Sequence, residues 1–210
     1  LELSDQIKFL FKIKPYEDKW DYYKNERMKE IYNYSANAYN ENRKYKYKAS
    51  ICIKAYNKLN YTKLAIESIL KHTNFEDGKY ELITINNGST DETEQYFAKL
   101  PNIKKVNLKY NIPATQVFKH VIEGEYIIGF FFFFFATCNW LENLISCIES
   151  DKSIVWAVPT CNEDGISNMQ GVKVPYKNDI SQINKIEEFG LKYNKSDPLK
   201  WEERIVLMPF

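Results

Sequence analysis

The chain has 210 residues, 44% of them hydrophobic and 27% charged, with a formal net charge of +1. That length and balance fit one α/β domain with a buried core plus an extension, and they exclude a disordered chain. A charge so near zero excludes a strong general field for nucleic acid or acidic lipid, and the most apolar stretch, Tyr126 to Ala136, is far short of the ~20 residues that cross a bilayer. Residues 1–48 are dense in Tyr, Lys, Asn and Glu and contain no glycine. Within them Met28, Ile31, Tyr32, Ser35 and Tyr39 keep helical spacing and predict a helix over about 18–40.

The pattern then changes. Ser50-Ile51-Cys52-Ile53 is a short apolar run bounded by polar residues, which suits a buried strand. Tyr61, Leu64, Ala65, Ser68 and Ile69 follow at helical spacing. Tyr80 to Ile85 predicts a second strand that ends at Asn86-Asn87-Gly88, and a helix over about 91–100 comes next. Ile103 to Leu108 predicts a third strand, Val117, Phe118, Val121 and Ile122 a short helical face, and Tyr126 to about Phe133 a fourth strand. Leu141, Leu144, Ile145 and Ile148 define a further helix, and Ile154 to Val158 a fifth strand. After Thr160 the alternation stops: 162–177 reads as an irregular connection, Asp179 to about Tyr193 as a helix, and Ser196-Asp197-Pro198 as the start of another.

Strand and helix in regular alternation imply parallel strands with crossover helices on both faces. In such sheets ligands bind beyond the carboxyl ends of the strands. The segments to inspect are therefore Ala55-Tyr56-Asn57, Asn86 to Asp91, Tyr110-Asn111 and the run of six phenylalanines, Phe130 to Phe135. No glycine-rich dinucleotide or P-loop phosphate motif is present, and no H-E-x-x-H. The two histidines, His72 and His120, fall on predicted helices without a ligand pattern. The four cysteines form no C-x-x-C pair, so a zinc knuckle or redox pair is not expected. Such thiols suit a reducing compartment, and the first residues lack a signal-peptide pattern. The expectation is a cytoplasmic protein, with a membrane-peripheral position left open. Opening at Leu1 and closing on Pro209-Phe210, the sequence reads as a fragment.

Four segments occur together in order. They are Ala55-Tyr56-Asn57 after the first strand; Asn86-Asn87-Gly88-Ser89-Thr90-Asp91 after the second; Gly124-Glu125-Tyr126 leading into the fourth; and Asn139-Trp140-Leu141 opening the next helix. In this order and spacing they resemble the family 2 glycosyltransferases, over about 49–151. The resemblance implies a GT-A-like, Rossmann-like fold: a mostly parallel sheet with helices on both faces, here with a helical N-terminal extension (1–48), a nucleotide-sugar-binding core (49–160) and a helical tail from a truncated acceptor half (161–210). It implies transfer of a sugar from a nucleoside diphosphate sugar to an acceptor hydroxyl of unknown identity, with Ala55, Tyr56, Asn57, Asn86 and Asp91 lining the nucleotide pocket. It also implies a divalent cation, Mn²⁺ or Mg²⁺, held by a D-x-D pair.

Each segment also has a purely structural reading. Ser89-Thr90-Asp91-Glu92 is a capping box that simply starts a helix, and Asn87-Gly88 is first a turn signal. Two positions depart from the family pattern. Asn86 stands where an aspartate is usual, keeping an acceptor oxygen but losing the charge. The D-x-D position falls on about Phe131, Phe132 and Phe133, which offer no oxygen ligand to a hard cation. Alternation along a strand must drive several of these rings toward the site mouth or water. Metal-dependent transfer is therefore not expected, and the alternatives are a non-catalytic nucleotide-binding domain and an interaction module. No catalytic base is recognised: Glu163-Asp164 read as turn residues, and Glu187-Glu188 and Glu202-Glu203 as solvated helix faces.

Overall fold

The structure is a computed structural model, and it describes residues 44–112, 117–118, 121–154, 156–162, 171–195, 197–198 and 201. The chain divides into two units between residues 44 and 45, and every element below belongs to the second. The N-terminal helix expected over about 18–40, His120, Glu163-Asp164 and Glu202-Glu203 lie outside the described residues.

The elements run β1 (Tyr47–Ala55), α1 (Leu59–His72), β2 (Tyr80–Asn87), α2 (Thr93–Lys99), β3 (Lys104–Leu108), β4 (Gly124–Phe131), α3 (Trp140–Ser150), a 3₁₀ turn (Ile180–Gln182) and α4 (Ile183–Tyr193). All four strands are parallel, in the order β3-β2-β1-β4. The chain steps outward from β1 to β3 and then returns to the other side of β1. The order therefore reverses between β1 and β4, which makes the crevice beyond their carboxyl ends the topological switch point.

Register sorts side chains onto two faces. Ile51 pairs with Leu82 and Ile128, and Ile53 with Phe130. These residues join Ala65, Ile66 and Ile69 of α1, Phe97 of α2 and Leu141 and Ile145 of α3 in one core. On the other face Cys52, Ile83 and Ile85 pack with Val117 and Ile122, and Val117, Phe118 and Val121 are helical. Helices thus cover both faces, as the alternation predicts. Burial of the Cys52 thiol pushes its pKa up to about 12, so it acts as a small core hydrophobe.

Glu81, at the amino end of β2, is the one buried carboxylate among the described residues. It accepts a hydrogen bond from Ser50 Oγ at 2.5 Å and from the Glu123 N–H at 2.7 Å, and Ser50 Oγ in turn accepts the Gly124 N–H at 2.8 Å. A buried carboxylate needs such partners. Here they fix the point where the chain enters β4. Gly124 is required at that point: a Cβ there would sit 2.4 Å from the Ser50 nitrogen.

Three expectations fail. The fourth strand begins two residues earlier than expected, at Gly124, and stops at Phe131, because the Phe134 N–H turns back to the Phe131 carbonyl at 2.9 Å. The fifth strand does not form among residues 154 and 156–158: the Ile154 N–H is taken by the Asp151 carbonyl at 3.0 Å, and Trp156 is 66% exposed, so the run has no ladder to join. Glu187 is not a solvated residue. Lys71 Nζ and His72 Nε2 both reach its carboxylate at 2.8 Å, which ties α4 to the end of α1. Burial opposes its charge, but these hydrogen bonds outweigh that and hold Glu187 below the usual carboxylate range.

Candidate functional site

The turns after β1 and β2 are bonded to each other. The Asn57 N–H donates to Ser89 Oγ at 2.9 Å, and Asn57 Oδ1 accepts the Thr90 N–H at 2.8 Å. Asp91 Oδ2 accepts the Leu59 N–H, the first of α1, at 3.2 Å. The two turns therefore form one rim at the carboxyl end of the sheet, and Tyr56, Asn57, Asn86 and Asp91 are brought to it together.

Local backbone explains why these residue types stand there. Asn57 and Lys58 both adopt left-handed φ, 57° and 62°, a conformation that asparagine tolerates and lysine resists. Their turn holds because Asn57 is bonded across to β2 and the Lys58 carbonyl receives the Tyr61 N–H at 3.0 Å and the Thr62 N–H at 3.1 Å. Gly88 has φ 78° and lies against the chain after β3, where a Cβ would come within 2.8 Å of the Tyr110 backbone. Only glycine meets both demands.

The five expected pocket residues differ in what they have left to offer. Ala55 ends β1 opposite Asn86, and its methyl is buried in the core, so it can line a pocket only through its backbone. Tyr56 is 41% exposed. Asn57 has committed its side-chain oxygen; its Nδ2 has no partner among the described residues. Asn86 is 2% exposed. Its Oδ1 accepts the Ser89 N–H at 3.0 Å, while its Nδ2 likewise has no partner among the described residues. Asp91 is spent on structure: Oδ1 accepts the Thr93 N–H at 3.1 Å and Thr93 Oγ1 at 2.5 Å, and Oδ2 holds Leu59. Burial opposes its charge, but these bonds prevail and keep its carboxyl below the usual range. The N-cap position of α2 is Glu92, which makes no side-chain cap bond; Asp91, one residue earlier, takes the first helical N–H, and the Ser89 hydroxyl is engaged by Asn57. Two amide donors and an exposed tyrosine remain, a set that can hold the carbonyl and hydroxyl oxygens of a nucleoside.

A cavity of about 260 Å³ opens beside this rim, lined by Lys58, Leu59, Asn60, Tyr61 and Asp91. Of the five expected pocket residues it takes in Asp91 alone.

The opposite edge of the crevice is the end of β4. Phe130 faces the core, 7% exposed and edge-on to Trp140 with ring centres 5.3 Å apart, whereas Phe131 and Phe133 are 49% and 59% exposed and stack on each other at 5.4 Å. No oxygen, nitrogen or sulfur ligand is present at Phe131, Phe132 or Phe133. Among the described residues no group of three or more His, Cys, Asp or Glu could hold a metal ion. The residues at this position do not fit Mn²⁺ or Mg²⁺, which require hard oxygen donors.

Two residues outside the five expected pocket residues stand at the same end of the sheet: Asn87, read from the sequence only as part of a turn, and Lys54. Asn87 is fully buried; its Oδ1 accepts the Ile112 N–H at 3.0 Å and its Nδ2 donates to the Ile112 carbonyl at 3.0 Å, with a further bond to Asn111. Lys54 comes next to last in β1, between Ile85 and Phe131 in register, and its Nζ donates to the same Ile112 carbonyl at 3.3 Å. A charged residue inside the run Ile51-Cys52-Ile53-Lys54-Ala55 was the available signal.

A parallel sheet whose first two turns meet at one rim beside a switch point is a Rossmann-like α/β arrangement. Residues 50–128 match the model of Glycosyl transferase family 2. Among solved structures, TarS 1-349 of S. aureus is 25% identical with a TM-score of 0.47, covering 57% of this chain and 38% of that one. The same protein in complex with UDP-GlcNAc is 23% identical with a TM-score of 0.48, over 57% and 36%. The mannosyltransferase PcManGT from Pyrobaculum calidifontis, in complex with GDP-Man and Mn²⁺, is 12% identical with a TM-score of 0.29, over 43% and 31%. The match thus spans well under half the length of these structures. No curated protein matches the chain.

Proposed function

We propose that this chain is the nucleotide-sugar-binding half of a glycosyltransferase, built to take a sugar from a nucleoside diphosphate donor to an acceptor hydroxyl. The observation that carries the reading is the joined rim: Tyr56, Asn57 and Asn86 stand together at the carboxyl end of a parallel sheet, with two amide donors uncommitted and Tyr56 exposed. The division into a core over 49–160 and an acceptor half over 161–210 belongs to the same reading. So does a cytoplasmic setting, which the buried thiol of Cys52 and the absence of a C-x-x-C pair support. Among the described residues no helix is long and apolar enough to cross a membrane.

One observation favours a second reading, a nucleotide-binding domain that does not catalyse. The position expected to hold a cation carries Phe131, Phe132 and Phe133, and transfer also needs a carboxylate to accept the acceptor's proton. No such residue is identified. On this ground the chain lacks metal-dependent transferase activity. Thermal-shift titration with UDP, GDP and their sugars, with and without Mn²⁺, tests binding; release of sugar from UDP- and GDP-sugars tests turnover. Stabilisation by a nucleotide without sugar release is expected. Mn²⁺-stimulated release would favour the catalytic reading, and no response to any nucleotide would defeat both.

A further inference from the structure

The phenylalanines at the end of β4 leave a charge problem. A nucleoside diphosphate brings at least two negative charges to the crevice, and Phe131 to Phe133 cannot recruit a cation to meet them. Something else must, if the nucleotide reading holds.

Lys54 stands at the required place. It lies at the carboxyl end of β1, and its cross-strand neighbour is Phe131, so it borders the β1–β4 crevice where the strand order reverses. Its side chain is half-buried between Ile85 and Phe131. Only one of its three donors is committed, to the Ile112 carbonyl. Lys48, Lys71, Lys79, Lys104 and Lys192 all pair with carboxylates. Lys54, less exposed than most of them, has no carboxylate partner among the described residues. A partly desolvated ammonium opposite a neutral carbonyl is poorly compensated, and burial holds its pKa below the ordinary lysine value. An anion arriving in the crevice would supply the missing counter-charge.

We propose that Lys54 meets the diphosphate charge in this site, so that nucleoside diphosphates bind here without a divalent cation. The proposal rests on the nucleotide-binding reading above. Its ligand class is a nucleoside diphosphate, and its recognition is a charge-assisted hydrogen bond from Nζ to phosphate oxygen.

Calorimetric titration of the full chain tests it, with UDP and GDP each set beside its own nucleoside, in EDTA and in Mn²⁺. At least one diphosphate should bind in EDTA about tenfold or more tighter than its nucleoside, and Mn²⁺ should change that affinity by no more than about twofold. Lys54→Met should remove about tenfold from diphosphate affinity and leave nucleoside affinity unchanged. Lys54→Gln, which keeps a donor for the Ile112 carbonyl, should behave as Met does; Lys54→Arg should retain most of the affinity. Diphosphate binding that requires Mn²⁺ overturns the proposal while the nucleotide reading stands. So does a loss in Lys54→Met or Lys54→Gln that is equal for nucleoside and diphosphate, since that marks a positioning role through Ile112, and so does no loss at all. Failure of every nucleotide and nucleoside to bind the unaltered chain defeats the nucleotide reading, and the Lys54 proposal with it.

Discussion

The two sides of the crevice are built on opposite principles. On the β1–β2 side, polar side chains are spent holding backbone: Asn57, Ser89, Thr90 and Asp91 fasten one turn to the next, and two amide groups are left over for a ligand. On the β4 side, six phenylalanines replace polar chemistry altogether; Phe130 alone is fully in the core, while Phe131, Phe133 and Phe134 lie open. The difference separates fold from chemistry. The aromatic run keeps the strand because its inward ring is apolar, as that position demands. It forfeits the ligands because its outward positions are apolar too. A segment can thus satisfy the core and void the site in the same few residues.

The contrast is sharpest within the run itself. Phe130→Ala should be the most damaging change, costing about 3–5 kcal/mol, since the ring packs in the main core against Trp140 and Phe134. Urea unfolding at neutral pH measures it. A cost below about 1 kcal/mol would mean that the aromatic run is not anchored to the core through this ring.

The polar rim should break more gently. Asp91→Ala removes the partner of the Leu59 and Thr93 N–H groups and should cost about 1–2 kcal/mol. This contribution depends on pH in a definite direction. The Asp91 carboxyl is held below its ordinary value of 3.8 in the folded chain. Its stabilisation is therefore fully present above that value and disappears as pH falls through the lower, folded one. The stability gap between the unaltered chain and Asp91→Ala should be constant from pH 7 to 5 and close on further acidification. A gap that widened in acid would show that Asp91 is not held as a carboxylate by these bonds.

Much of this architecture is legible in the sequence because period and punctuation are local. The run Ser50 to Ile53, the alternation through Leu108 and the helical spacing around Leu141 mark elements whose centres fall where expected. What periodicity cannot carry is adjacency. That β4 lies beside β1 and not beside β3 is expressed in pairings such as the Glu81–Ser50–Gly124 contacts, made across 31 to 74 residues. The same limit explains the site. Ser89-Thr90-Asp91-Glu92 reads as a capping box, but Ser89 is diverted by an N–H 32 residues away, and it is Asp91 that accepts the first N–H of the helix. Lys54 was overlooked because its role depends on Phe131 and Ile112, neither of which is near it in sequence. The run Ile154 to Val158 has strand composition and no strand, since composition supplies no partner.

The smallest expected effect is the most pointed check on the comparison. Phe133 is 59% exposed, and its contacts are with Phe131, Phe132 and Phe134, its own neighbours in the run. Phe133→Ser should therefore change unfolding free energy by no more than about 0.5 kcal/mol, a small fraction of the cost at Phe130 three residues earlier. Its effect should appear instead in association. An uncharged, proline-free aromatic surface promotes self-assembly, so the serine variant should stay monodisperse at concentrations where the unaltered chain scatters light. Light scattering against concentration reads this directly. If the variant loses several kcal/mol of stability, the outer rings belong to the core after all, and the division drawn here between a fold-keeping and a site-voiding half of the run is wrong.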